Sequence, residues 1–436
     1  MTDLLEPPVV RQSWRKTTFA ALEDDQYRRL WIGGLISFLA VQMEFISRGW
    51  LAFRLTGSNA GLGAVYLGFG VPMLLLTPWG GVAADRLPKR AVLMGCQATL
   101  ALSSATVAFA EIFGFLTYPL LIGTAVLQGA GFSFLGPARM AFTGELVGRE
   151  RLGNAVVLQQ MSMNGTRVFG PSVAGLLIGI PAFGVGGVYL MTTALMLTTL
   201  WNTSRLPHGR PPADREVRSP LSEMADGVRY VRERRPILIL VLTSLFVVMF
   251  AFPYVAFLPT IADLFGVGSG GYGLMSGVSA VGALAASLFI AGRAGRPGAL
   301  RIQLIAGLCF GGGVALLGFA PSFALGLVVI LGIGAASSAF QSLNNSLVLD
   351  QTDLAFHGRV QSLMMLSFSG FGMAALPLGA IADRVGIRPT MLGMGGIAVT
   401  AVTVSIVLRL LGRDGDPRDV DPSGHDGDVD QRLAAA

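Results

Sequence analysis

Apolar runs of roughly 20 residues, each long enough to cross a bilayer as a helix, recur from residue 30 to residue 410. They fall at about 30–51, 60–83, 91–112, 116–135, 156–178, 183–201, 237–258, 272–291, 302–319, 323–347, 363–381 and 390–410. That is twelve predicted spans. Composition agrees with this pattern. Only 13% of the 436 residues are charged and 52% are hydrophobic, where ordinary soluble domains are roughly 25% charged. Mean hydropathy is +0.62. A soluble fold of this size could not hide so much apolar surface. The balance excludes a disordered chain, a secreted disulfide scaffold and an ordinary cytosolic enzyme. Cys96 and Cys309 lie inside apolar runs and form no metal or disulfide pattern. The 58 glycines suit helices that pack closely in lipid.

The positions of Lys and Arg orient the chain. With the N-terminus inside, 27 of the 32 basic residues fall in cytoplasmic segments. Arg54, Arg384 and Arg388 fall outside, and Arg48 and Arg167 lie within spans. Arg139, Arg149 and Arg151 count with the cytoplasmic loop between the fourth and fifth spans. This asymmetry accounts for the net charge of +6 without nucleic acid as a partner. No short apolar core with a small-residue cleavage site follows the polar residues 1–29, so no removable signal peptide is expected.

The reading divides the chain into a cytoplasmic tail (1–29), a six-helix bundle (30–204), a basic cytoplasmic linker (205–236), a second six-helix bundle (237–410) and a polar tail (411–436) expected to be disordered. The near-equal halves suggest internal duplication. At an offset of 205, Gly129, Gly153, Leu158 and Gly165 match Gly334, Gly358, Leu363 and Gly370. Such parallel repeats are a transporter architecture with the substrate site near the midplane, between the halves.

Between the second and third spans lies Gly81-Val82-Ala83-Ala84-Asp85-Arg86-Leu87-Pro88-Lys89-Arg90. With twelve spans and a basic central linker, this motif resembles the signature of the major facilitator superfamily, over about residues 27–410. The family pattern has glycine where Pro88 stands. Trp50–Ser58 and Arg167-Val168-Phe169-Gly170-Pro171 resemble the branch of bacterial drug and siderophore exporters. The resemblance implies an all-α polytopic membrane protein, with twelve transmembrane helices in two six-helix pseudo-repeats. It also implies that Gly81, Asp85, Arg86, Lys89 and Arg90 form a cytoplasmic gate. Asp85 is an anion that the N-terminus of a neighbouring helix, such as the eleventh near Gly358, would attract. Arg86, Lys89 and Arg90 suit carboxylates or anionic headgroups. The bland alternative is a topogenic basic turn. The matching loop of the second half has Gly292 in place of the acid, and a related Ala382-Asp383-Arg384-Val385-Gly386 recurs after the eleventh span, on the outer side.

Ionisable residues inside spans are functional candidates by default, each costing roughly 2.5–3.5 kcal/mol on insertion scales. Glu44 and Arg48 share a face of the first span, four residues apart. Arg167 lies midway along the fifth, at a depth within about 4–5 Å of Glu44 by residue count. The expectation is a Glu44–Arg167 pair supported by Gln42 or Asn164. An acid there suits proton coupling; the alternative is a fixed ion pair, with Arg48 snorkelling to the outer interface. The family places an arginine three residues before a Gln-Gly pair, but here Gln128-Gly129 follow Ala125. Gly165, Gly170, Pro171 and Gly175 give the fifth span a small face that can kink. In the family, such a stretch marks exporters.

Candidate substrate contacts are Gln42, Met43, Gln128, Asn164, Phe250, Tyr254, Gln341, Asn344 and Asn345, since apolar and aromatic surface with few polar groups suits an amphiphilic organic solute. No Gly-x-x-x-x-Gly-Lys-Ser/Thr phosphate loop is present. His208, His357 and His425 all fall outside the spans, which disfavours a membrane-embedded enzyme. A channel is disfavoured by the duplicated plan. The expected protein is a monomeric secondary exporter of the cell membrane with cytoplasmic termini. Its partners are a small molecule, protons and lipid, with no cofactor or metal. An importer of the same fold is the alternative.

Overall fold

The structure, a computed structural model, describes residues 20–180, 182–209, 220–291, 298–353 and 356–412. After a single 3-10 turn at Ala20–Glu23 come α1 (Asp25–Thr56), α2 (Asn59–Arg86) and α3 (Lys89–Ile112). Tyr118–Ile178 is two helices joined across a kink. Its parts are α4 (118–147) and α5 (149–178). Then follow α6 (Gly184–Ser204), α7 (Pro220–Glu233), α8 (Arg235–Phe250), α9 (Tyr254–Leu264), α10 (Gly268–Ala291), α11 (Ala299–Leu317), α12 (Phe323–Asp350), α13 (His357–Val385) and α14 (Ile387–Gly412). Among the described residues, 10 helices are long and apolar enough to cross a membrane, counting α8 with α9 as one. The helices α5 and α13 occupy the places of the predicted fifth and eleventh spans.

Helix ends follow local chemistry. Asp24 caps α1 by accepting from the Tyr27 N–H at 2.8 Å. The Tyr27 hydroxyl donates to the Ala155 carbonyl of α5 at 2.8 Å, and Ala21 N donates to Asn154 Oδ1 at 3.0 Å. These bonds order the chain from residue 20, so the first helix starts five residues before the expected boundary at 30. Between α1 and α2, Gly57 takes the left-handed conformation (φ 62°), open to glycine without steric cost. Ser58 then caps α2, accepting from the Gly61 N–H at 3.1 Å.

Three expected boundaries change. The fourth span, predicted to end near 135, continues as helix to Gly148, where φ 70° and ψ 179° turn the chain into α5. No loop intervenes, and Arg139 lies inside a helix. The seventh span breaks at Ala251–Pro253 into α8 and α9, because a proline cannot donate the helical backbone bond. The linker, read as a basic loop, contains α7. Tyr230 of this helix stacks on Phe356 at 4.1 Å and accepts from the Asp353 N–H at 2.8 Å. Residues 1–19 and 413–436 lie outside the described set.

Helices α1 to α6 pack on one another, as do α8 to α14, and the two sets meet where α2 lies on α13 and α5 on α10. The starts of α1 and α8 and the ends of α6 and α14 share one end of the molecule. Asn202 donates to the Arg29 carbonyl there, and Arg409 to that of Pro236. We call it the termini end, and the opposite end, with the α1–α2 connection, the turn end. Large apolar side chains such as Leu102, Leu176, Val281 and Leu288 are exposed on the bundle exterior, where lipid rather than water is the natural neighbour.

Candidate functional site

The acid of α1 is enclosed within the first six helices. Glu44 is 0% exposed and Arg48 3%. The Gln128 amide of α4 bridges them: its oxygen accepts from Arg48 Nη1 and its nitrogen donates to Glu44 Oε2. Ser104 of α3 donates to Glu44 Oε1 and shares a 3.2 Å hydrogen bond with Thr192 of α6. Tyr189, one turn before Thr192, lies beside Arg48. An amide set between cation and anion can serve both only in this orientation. Among the described residues, Arg48 Nε and Nη2 and the Tyr189 hydroxyl are buried without a hydrogen-bond partner.

This arrangement corrects two expectations. Glu44 takes Gln128 and Ser104 as partners, and among the described residues no ion pair joins it to Arg167. Arg167 is half-buried on α5. Arg48 does not snorkel outward; it turns inward onto Gln128. Residue count along each helix gave similar depths for Glu44 and Arg167, but depth says nothing of the direction around the helix axis. Ser104, Tyr189 and Thr192 are not legible in the sequence, because Ser, Thr and Tyr on apolar helices carry no signal until a partner is known.

Of the gate motif, Lys89 is buried and pairs with Glu145 of α4 at 3.0 Å. Arg90 donates to the Leu206 carbonyl at 3.1 Å. The Lys89 pair lies within the first half, and Arg90 binds the chain just after α6. Arg86 ends α2 and is exposed, and Gly81 has open space beside it. Asp85 is helical; its side chain and that of Gly358 lie outside the described residues, so the expected latch does too.

A carboxylate on a helix N-terminus does occur, at the turn end. Asp383 of α13 accepts from Ser58 Oγ at 2.6 Å, Asn59 N at 2.8 Å, Asn59 Nδ2 at 2.9 Å and Ala60 N at 2.9 Å. It seals the two halves across the start of α2, where the helix dipole favours an anion. Around it the halves are in close contact. Thr260 donates to Asn59 Oδ1 at 2.6 Å, Tyr272 donates to the Ile46 carbonyl at 2.8 Å, and the Trp50 ring stacks on Tyr272 at 5.4 Å. The turn end is closed.

Burial works to raise the pKa of Asp383, but its four hydrogen bonds outweigh it and hold the carboxyl below its ordinary value. The sign of the pH effect follows. The clasp is fully present above the ordinary carboxylate pKa and is lost only as pH falls through the depressed one. Between about pH 5 and 8 it does not titrate. Asp383→Asn is expected to raise the population open at the turn end. Acidification from pH 8 to 5 is expected to leave the wild type closed. Spin labels on the turn-end segments of α2 and α13 would measure both, and opening of the wild type by pH 5 would contradict this account.

On α5, a Cβ added at Gly170 would collide with Gln42, and Gly175 meets Gly273 of α10 backbone to backbone. Gly165 has open space. The dihedral break in Tyr118–Ile178 is at Gly148, so Pro171 sits in continuous helix rather than at a break. Of the candidate substrate contacts, Met43 and Gln128 are enclosed in the first half. Asn344 is bonded by Gln303 at 3.2 Å, and the Tyr254 hydroxyl shares a 3.0 Å bond with Ser279; both lie inside the second half. Gln42, Phe250, Gln341 and Asn345 are half-buried and retain surface for a ligand. Phe250 and Tyr254 flank the α8–α9 break. The Asn164 side chain lies outside the described residues.

The family model described as transmembrane secretion effector, within the major facilitator superfamily, matches residues 16–435. The staphyloferrin A transporter of Staphylococcus aureus is 24% identical over 363 residues, covering 80% of this chain and 88% of its own length. The enterobactin exporter EntS of Shigella flexneri is 25% identical over 427 residues, covering 92% and 96%. Among solved structures, the nucleoside transporter NupG superposes with TM-score 0.68 at 17% identity, over 88% of this chain and 99% of that one. The POT family transporter PepTSo superposes with TM-score 0.69 at 14% identity, over 90% and 99%.

Proposed function

The chain belongs to the transmembrane secretion effector family of the major facilitator superfamily, and from that premise we propose that it exports a small amphiphilic organic compound by proton-driven alternating access. Two relatives are named for staphyloferrin A and enterobactin, which supports a siderophore, drug or metabolite as cargo. The substrate path runs between two six-helix halves, with Gln42, Phe250, Gln341 and Asn345 on its walls. The Lys and Arg asymmetry supports a cytoplasmic termini end in the cell membrane, with twelve spans. In that orientation the sealed turn end makes this the inward-facing state.

The observation that carries the coupling is Glu44 at 0% exposure. An ionisable acid inside an apolar span is costly, roughly 2.5–3.5 kcal/mol on insertion scales, and persists where it serves a pathway. Arg48, through Gln128, stabilises its charged form. A change in the α1–α4 contact removes that support and favours proton uptake. Glu44→Gln keeps the size and, with the Ser104 bond reversed so that the amide donates, both hydrogen-bond contacts, but holds no exchangeable charge. In proteoliposomes, this variant is expected to retain exchange down a substrate gradient and to lose accumulation driven by an imposed pH gradient. Full gradient-driven transport by the variant refutes the coupling role.

A further inference from the structure

Arg139 is a second buried cation, 3% exposed on α4. A guanidinium stays protonated in a protein. Glu145 faces Lys89 and Glu111 faces Arg54, but among the described residues no carboxylate pairs with Arg139. Its Nε and Nη1 are buried without a hydrogen-bond partner. It is held by packing instead. The Phe38 ring of α1 lies 4.9 Å from its Cζ, and a Cβ on Gly34 would come within 3.1 Å of Nη1.

Beside the guanidinium is a cavity walled by α1, α4 and α5, with free space of about 10 Å³, the room of a water molecule or one small ion. Thr143, one turn along α4 and 1% exposed, lines it with a hydroxyl that also has no partner. Gln159 of α5, half-buried, also lines it; the remaining polar side chains of the wall are bonded elsewhere. The Tyr27 hydroxyl goes to Ala155, Trp31 Nε1 to Leu158 at 3.0 Å and Ser162 Oγ to Leu158 at 3.1 Å. Three unsatisfied donors thus surround one uncompensated charge. Water would satisfy the donors and leave the buried charge unpaired, which is the costly part. An anion satisfies both.

We propose that this cavity binds one small monovalent anion of chloride size, held by Arg139 and Thr143 and covered by Gly34, Phe38 and Trp31. The anion neutralises the charge where α1, α4 and α5 meet, so the stability of the first half depends on it. This does not rest on proton coupling or on any substrate.

The test is thermal unfolding of the purified full-length protein at fixed ionic strength, in mixtures of potassium chloride and potassium gluconate. Gluconate is too large for the cavity. The midpoint is expected to rise with chloride, as the logarithm of its concentration beyond half-saturation. Arg139→Gln is expected to abolish the dependence. Gly34→Ala and Thr143→Val, which retain the cation, are expected to raise the half-saturating chloride several-fold; they keep the test open if Arg139→Gln does not fold. Equal midpoints in chloride and gluconate overturn the proposal and indicate a water in the cavity. Unchanged chloride dependence in Arg139→Gln, or in both milder variants, overturns it as well.

Discussion

Arg48→Met is expected to destabilise the protein by about 3–5 kcal/mol, the cost of leaving a buried charge without its counterpart. Glu44 would remain enclosed with Ser104 and Gln128 as donors but without the cation beyond the Gln128 amide. Hydrogen bonds from neutral groups do not replace a charge in a medium of low dielectric. The double variant Glu44→Gln/Arg48→Met is expected to recover most of the loss, since it removes both charges and keeps the volume. The coupling energy from the cycle of single and double variants, read from unfolding in detergent, measures the interaction. A cycle that adds within about 0.5 kcal/mol would show that the two charges do not act on each other.

Gly175→Val should trap the halves apart at the turn end. The added Cβ would sit 2.8 Å from the Gly273 Cα, and backbone on both sides leaves nothing flexible to move. Overpacking of this kind costs about 1–3 kcal/mol, and each 1.4 kcal/mol shifts a two-state population about tenfold. The strain exists only in the closed arrangement, so folding is spared while the closed population falls. Transport is expected to drop roughly ten- to a hundredfold, with the turn end newly accessible to soluble thiol reagents at an introduced cysteine. Wild-type transport by Gly175→Val would mean that α5 and α10 need not approach this closely.

The candidate site was legible in part. Glu44, Arg48 and Gln128 all stood out as polar residues in apolar runs, and all three meet in one group. Their pairing was not legible. Glu44 and Arg167 were matched by depth, whereas Gln128 reaches Glu44 because α1 and α4 present those faces to each other. Hydropathy falls after residue 135, which points to a loop at Arg139, although the backbone stays helical to Gly148. In sequence, Asp383 is an echo of the gate motif. Its docking on Ser58, Asn59 and Ala60 depends on α13 lying against α2, residues more than three hundred positions apart.

The sequence by itself was enough for the solvent and the helical class, and it alone carries the proposed orientation, through Lys and Arg. Span length, hydropathy and loop charge are properties of short consecutive segments, and the bilayer acts on each segment separately. The partners of Glu44, the seal at Asp383 and the uncompensated charge of Arg139 were settled by packing. Each depends on the rotation of one helix against another, and interdigitation of distant side chains sets that rotation.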